Sequence, residues 1–451
     1  MTTLQKYKIP MQQAMKLALP IIAGQLGLVL MGFFDTVQVG GLGSAYMAAS
    51  GVSSGIYFLF ILLGMGVLFA VSPLVSEAFG EGHAWKAIGV FRSAFIVAAV
   101  LSVLFYFVLY VVTEHFEIFR ESEKITGLAK RFLHILNFST PMLMFFTLGK
   151  QFMDGTGRTK VSMTITGIGL LCNVILNWVL IYGKLGCPAL GLEGAAIATS
   201  LSRTLMCIIL LAYILNDKKV KALREEYKLK SGIGKSYIKP ILEIGIPSGL
   251  QMFFEVAAFS AAQIMSGWIN ETNLAAYQIT ISLASITFMM VSGLANAGTI
   301  MTGFAFGRRD KEGIRVAGNT VFLLTLISQL IFASIFFTLN KQLPKMYTAD
   351  TEVISLAATL LLLAALFQLS DGFQVVGAGL LRGLQDTRVP SVIAFVSYWL
   401  VMVPLCYFLA FNLGTGTIGI YLGLTVGLSI AAVCMYLRFR AKLKTVEFIE
   451  L

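Results

Sequence analysis

Three carboxylates, Asp35, Glu255 and Asp371, stand in the middle of long apolar segments of a 451-residue chain that otherwise places nearly all its acids at segment ends. A charged side chain at bilayer depth costs roughly 2.5–3.5 kcal/mol on insertion scales, so an acid kept there marks a functional site by default. The chemistry open to a lone buried carboxylate is binding: it can hold a proton, coordinate a small cation, or face an organic cation.

Asp35 has possible companions in Asn173 and Asn177, whose i, i+4 spacing puts both amides on one helix face, and in Thr199. One carboxylate, two amide carbonyls and a hydroxyl make a set of hard oxygens suited to a small cation that must shed water, whereas a proton needs only the carboxylate. The competing reading makes Asn173 and Asn177 interhelical glue, at about 0.6–2 kcal/mol per hydrogen bond. In the second half, Gln251, Glu255 and Phe259 share a helix face, and Gln368, Asp371 and Gln374 form an i, i+3, i+6 stripe. Two acids on separate helices can share a proton, hold a cation, or face an organic cation across a cavity; the bland alternative bonds each separately to a neighbouring helix. Phe253, Phe254, Phe288, Met289 and Met290 offer an aromatic and methionine wall that could adapt to hydrophobic cations. Arg203, the one basic residue far from a segment end, can pair with an acid, meet freed backbone carbonyls or snorkel to the interface; no role is assigned to it.

The elements that must position these groups follow from composition. The chain is 57% hydrophobic and 13% charged, against about 25% charged in soluble domains, so it reads as a polytopic membrane protein. Apolar runs of about 20 residues predict twelve spans, near 15–38, 45–74, 88–112, 127–149, 161–183, 191–215, 241–268, 273–303, 314–339, 353–379, 389–411 and 417–437. Continuous runs, rather than ten-residue alternation, make them helices and not barrel strands. About 26 of the 34 Lys and Arg fall at the N-terminus, in alternate loops or at the C-terminus, and about seven in the opposite loops, four of these between Arg120 and Arg131. The positive-inside rule then places both termini in the cytoplasm, and the net charge of +11 is a topology signal rather than a nucleic-acid surface. No short apolar core with a cleavage site opens the chain, so its first span is expected to remain as a helix. The five cysteines read as small core residues, and with no Walker loop or HExxH cluster, neither a cofactor nor catalysis is expected.

The chain is also written twice. At a shift of 227 residues Pro20 meets Pro247, Ala48-Ala49 meets Ala275-Ala276, and Ala78–Gly80 meets Ala305–Gly307 as AFG; at 228, Gly155, Thr159 and Val161 meet Gly383, Thr387 and Val389. Each half holds six spans, so the halves are parallel repeats about an axis along the membrane normal. The expected organisation is a lobe over 1–215, a polar cytoplasmic linker over 216–239 and a second lobe over 240–451. The repeat supplies a control: Asp35 faces Ala262, Glu255 faces Leu28 and Asp371 faces Leu143, so the shared architecture does not require the acids.

With twelve spans in two halves, ALPIIAGQLGLVLMGFFDTVQVG from Ala18, the AFG pair, MDGTGRTK from Met153 and LLRGLQDTRVP from Leu380, the chain closely resembles the multidrug and toxic compound extrusion (MATE) family over nearly its whole length. The joint presence of Asp35, Glu255 and Asp371 resembles the bacterial NorM-like branch. The resemblance implies two helical lobes forming a V whose cleft opens alternately to the two faces of a bacterial inner membrane. It implies a monomer in which Na+ or H+ enters as amphiphilic, often cationic drugs leave. It also implies a coupling-cation site at Asp35, Asn173, Asn177 and Thr199 and a cation or substrate site at Glu255 and Asp371. Gln251, Phe259, Phe288, Met289, Phe367, Gln368 and Gln374 are candidate cavity residues. Phe367 stands where some members of the branch carry Tyr, so a hydroxyl is missing there. The principal rival is a lipid-linked saccharide flippase of the same superfamily, which would be expected to line its cavity with basic residues rather than acids. A major-facilitator transporter is disfavoured by SEAFGEGHAWKA after the second span, and a membrane enzyme by the absence of converging nucleophile, base and metal ligands.

Overall fold

A computed structural model of the chain describes residues 3–119, 121–230 and 236–445, with side chains from residue 7 onward. Arg120 and residues 231–235 of the expected linker lie outside the described residues. In a bilayer each backbone N–H and C=O must be satisfied within the segment, and the apolar runs accordingly form helices. The described residues contain no strand. The first half comprises α1 (Thr3–Gly40), α2 (Ser44–Leu68), α3 (Val71–Gly80), α4 (Lys86–Glu114), α5 (Glu123–Asn137), α6 (Thr140–Gly155), α7 (Thr159–Tyr182), α8 (Gly191–Asn216) and α9 (Lys218–Lys230). The second comprises α10 (Ile238–Ile269), α11 (Glu271–Gly307), α12 (Lys311–Thr338), α13 (Gln342–Lys345), α14 (Thr351–Gly383), α15 (Arg388–Phe395), α16 (Val403–Tyr407) and α17 (Thr417–Thr445), with π-helical turns at Val396–Met402 and Phe408–Asn412.

Among the described residues eleven helical segments are long and apolar enough to cross a membrane, and α5 with α6, bent by 47°, makes twelve if counted as one span. Pro141 near the start of α6 explains the bend: it lacks the N–H that would continue α5 and prefers a helix's first turn. The span expected over 127–149 is therefore two helices. The segment expected as a polar linker instead carries α9, which buries Val220 and Tyr227, seven residues apart on one face. The Arg92 guanidinium lies over the Tyr227 ring at 5.7 Å. At the head of α9, Asp217 accepts from the Lys219 and Val220 amides at 3.1 Å and from Arg158 Nη2 at 2.8 Å. Hydrogen bonding to Arg158 holds the Asp217 carboxyl down at about 2. The cysteines are all unpaired, Cys207 and Cys406 buried and the others half-buried.

Packing divides the chain at places other than the loops near 215 and 240. One unit is Ala23–Gly249; the other combines Met1–Ile22 with Leu250–Leu451. Both boundaries fall inside single helices, α1 and α10, two residues past Pro20 and Pro247. Within the first unit, the start of α10 is seated by the Tyr237 amide, which donates to Ser93 Oγ at 3.0 Å, and by Gly249, where a Cβ would lie 2.8 Å from the Leu63 carbonyl oxygen. Within the second, α1 is seated by Asn319 Nδ2 on the Tyr7 hydroxyl at 3.4 Å and by Ile22, which fills the space beside Gly293. Ile22 and Gly249 are repeat equivalents at the 227-residue shift, as are Gly66 and Gly293.

Candidate functional site

In the first unit, three helices bring four side chains together. Asp35 comes from α1, Asn173 and Asn177 from α7, and Thr199 from α8. Asn177 Nδ2 donates to Asp35 Oδ1, Thr199 Oγ1 donates to Asp35 Oδ2 at 3.0 Å, and Asn173 Nδ2 donates to Thr199 Oγ1 at 3.3 Å. The one-turn spacing on α7 is what lets both amides meet the same neighbours. Asn173 and Asn177 are fully buried, yet neither Oδ1 has a partner. Buried carbonyl oxygens without partners are costly; turning each amide over, which exchanges its N and O, would bring both oxygens to the carboxylate side and complete a hard-oxygen set for a small cation. Asp35 itself is half-buried. Arg203 contacts a hydroxyl and an aromatic ring rather than a carboxylate or a backbone carbonyl. Its Nη1 donates to Ser139 Oγ at 3.0 Å and its guanidinium stacks over Tyr57 at 4.9 Å, while its charge still reaches Asp35 through space.

In the second unit, Glu255 of α10 and Asp371 of α14 line one cavity of about 230 Å³. Its walls include Phe259, Phe288, Phe367 and Tyr277, with Ser260, Gln263 and Ser285 as polar points. Gln374 Nε2 donates to Glu255 Oε1 at 3.1 Å, and Asp371 Oδ1 is buried without a partner. Gln374 thus supports an acid rather than facing the cavity. Gln368 turns to the Gln329 carbonyl at 3.4 Å, and Gln251 and Met289 are not among the lining residues.

Two residues near this cavity escaped the sequence reading. Arg382, buried on α14, exerts its charge on Glu255. It lies eleven residues, three helical turns, beyond Asp371, a spacing that was available in the sequence. Tyr398, on the π-helical turn after α15, is fully buried within electrostatic reach of Glu255 and Asp371, and its hydroxyl has no partner. An unpaired hydroxyl therefore stands near the acids although position 367 is Phe. Nothing local in the sequence marks the π-helical turn that orients Tyr398.

The architecture has clear relatives among solved structures. A MOP superfamily transporter from Pyrococcus furiosus superimposes with a TM-score of 0.86 at 21% identity, covering 97% of this chain and 96% of that one. A MATE in complex with MaD3S gives 0.87 at 20% identity, covering 97% of each chain. The eukaryotic MATE transporter AtDTX14 gives 0.85 at 18% identity, covering 98% of this chain and 99% of the other. At these identities the likeness establishes the fold. The sequence itself carries the family signature twice, over residues 20–179 and 247–408, once in each repeat, the first containing Asp35, Asn173 and Asn177 and the second Glu255 and Asp371. With an all-helical polytopic fold and both halves matched, the chain belongs to the MatE family, whose members are transporters.

Proposed function

We propose that this protein is a cation-coupled multidrug antiporter of the NorM-like branch, resident as a monomer in a bacterial inner membrane with both termini cytoplasmic. Na+ or H+ moves inward at Asp35 as an amphiphilic, often cationic compound moves outward, by alternating access between the two halves. The observation that carries this reading is the Asp35 cluster, a half-buried carboxylate held by two amide side chains whose carbonyl oxygens are uncommitted. An acidic cavity with aromatic walls at Glu255 and Asp371 supports organic cations as cargo, since aromatic faces and carboxylates both attract them.

Coupling needs only that cation and drug prefer different arrangements of the same helices. A ligand shifts an equilibrium by its differential affinity for the two states and by nothing else. A cation that orders Asp35, Asn173, Asn177 and Thr199 favours the arrangement in which α1, α7 and α8 converge. Drug binding favours the other, and neither ligand crosses productively alone. Each charge moved down a 100 mV potential contributes about 2.3 kcal/mol, so one inward cation per outward monovalent drug leaves only the chemical gradient, whereas two recover the electrical term.

Dye efflux in sealed vesicles, with Na+ and pH gradients imposed separately, tests the reading. Efflux that follows one gradient is expected. Gradient-independent movement of a lipid-linked phosphate overturns it in favour of a flippase.

A further inference from the structure

Two features of the second unit, unconnected with the buried acids, line up along one pair of helices. At the first turn of α12 and the last turns of α17, Lys311, Arg315, Arg440 and Lys444 surround a cavity of about 560 Å³, with Glu312 and Leu443 completing its wall. Lys311 Nζ donates to the Lys444 carbonyl at 3.3 Å, tying the two helix ends together, and Glu312 approaches Arg315 at 3.5 Å. Four cations against one carboxylate leave a surplus of positive charge where these spans end.

One turn deeper on the same helices, a furrow of about 590 Å³ opens over α14, walled mainly by Phe322, Leu326, Phe373, Val433, Tyr436 and Leu437, with Asn319, Ser370 and Ser429 as polar points. The Arg440 guanidinium lies over the Tyr436 ring at 5.8 Å, so one side chain spans the junction of the basic pocket and the apolar furrow. A basic pocket at the ends of two spans that continues into a largely apolar furrow suits a phospholipid's phosphate and the upper part of one acyl chain.

The internal repeat again separates what the architecture needs from what this half has added. At the 227-residue shift the positions equivalent to Lys311 and Arg315 are Ala84 and Ile88; with Gly191 and Gly194 set against Gly416 and Gly419, those equivalent to Arg440 and Lys444 are Leu215 and Lys219. The first half keeps only one of these four charges, Lys219.

We propose that this surface is a binding site for one anionic phospholipid, its phosphate held by Arg315, Arg440, Lys311 and Lys444 and one acyl chain laid in the furrow between α12 and α17. The site goes beyond transport and stands whether or not the coupling reading above holds.

Native mass spectrometry of the full-length, delipidated protein with added dioleoylphosphatidylglycerol, dioleoylphosphatidylethanolamine or inorganic phosphate tests it. The wild type should retain one phosphatidylglycerol in preference to phosphatidylethanolamine. Arg315→Gln with Arg440→Gln should lower the retained fraction at least tenfold, and Val433→Trp, which fills the furrow, should lower it as well. Arg315→Lys with Arg440→Lys keeps the charge and should keep the lipid. Equal retention by the glutamine pair, or equal loss by both pairs, overturns the proposal. Displacement of the lipid by millimolar phosphate, or indifference to Val433→Trp, overturns it in favour of a free-phosphate site.

Discussion

Gly66 of α2 and Gly249 of α10 meet backbone to backbone, so that a Cβ placed on Gly66 would overlap the Gly249 Cα. No side-chain rotation relieves such a collision. The equivalent pair in the second unit, Gly293 and Ile22, meets with a side chain on one partner, and that side chain has some freedom to move.

Gly66→Ala should therefore destabilise the protein by about 1–3 kcal/mol, the range for overpacked interiors. Thermal unfolding in detergent, followed by size-exclusion fluorescence, should show a fall of several degrees. Gly51→Ala, in the same helix but with open space around it, should change nothing or add a little helix stability. Equal melting of the two variants would refute the close-packing account.

Asp35→Asn preserves size but removes the charge and turns one of the two acceptor oxygens into a donor, so gradient-driven dye efflux should fall to background while the amount of folded protein is unchanged. Asn177→Ala removes one hydrogen bond to that carboxylate and one free carbonyl. A hydrogen bond to a charged group contributes about 1.5–3 kcal/mol, which corresponds to a loss of roughly 10- to 100-fold in apparent affinity for the coupling cation, read from the cation dependence of efflux. Unchanged transport by Asp35→Asn would remove the carboxylate from the mechanism.

In the second unit, Glu255→Gln and Asp371→Asn should impair efflux of cationic dyes more than that of neutral amphiphiles of similar size. Phe288→Ala should weaken cationic dyes alone, by about 2- to 30-fold, the span of an aromatic–cation contact of 0.5–2 kcal/mol. Equal loss for charged and neutral compounds would make these residues structural.

Arg158 lowers the carboxyl of Asp217 to about 2, against about 3.9 in an unfolded chain. A group whose folded value is depressed contributes stability above the unfolded value and loses it as pH falls through the folded one. Asp217→Asn should therefore lower the melting temperature at pH 7, and the gap should narrow from pH 4 towards pH 2. A gap that stays constant over that range would show that the ion pair is not its source.

How much of this was readable beforehand depends on the range of the interaction. The spans followed from apolar run length, because lipid enforces that pattern on every helix. The Asp35 cluster was legible because α7 displays Asn173 and Asn177 one turn apart, a local periodicity. The bend between α5 and α6 was missed although Pro141 announced it, since the apolar run continues through the break. The burial of Val220 and Tyr227 in α9 was hidden by the surrounding lysines. Tyr398 could not be found, because its position depends on a π-helical turn and on packing against residues more than a hundred positions away.

The trade of helix ends at Ile22 and Gly249 bears on how the molecule is made. Residues up to Ile22 are made before the neighbours they pack against, which follow only after residue 250, so one segment waits through the synthesis of the whole first unit for its partners. A gene cut near residue 235 would yield two fragments, each lacking the stretch that finishes its own bundle. Each fragment should therefore need the other's short stretch to close its own bundle, a debt left by exchanging helix ends between duplicated halves.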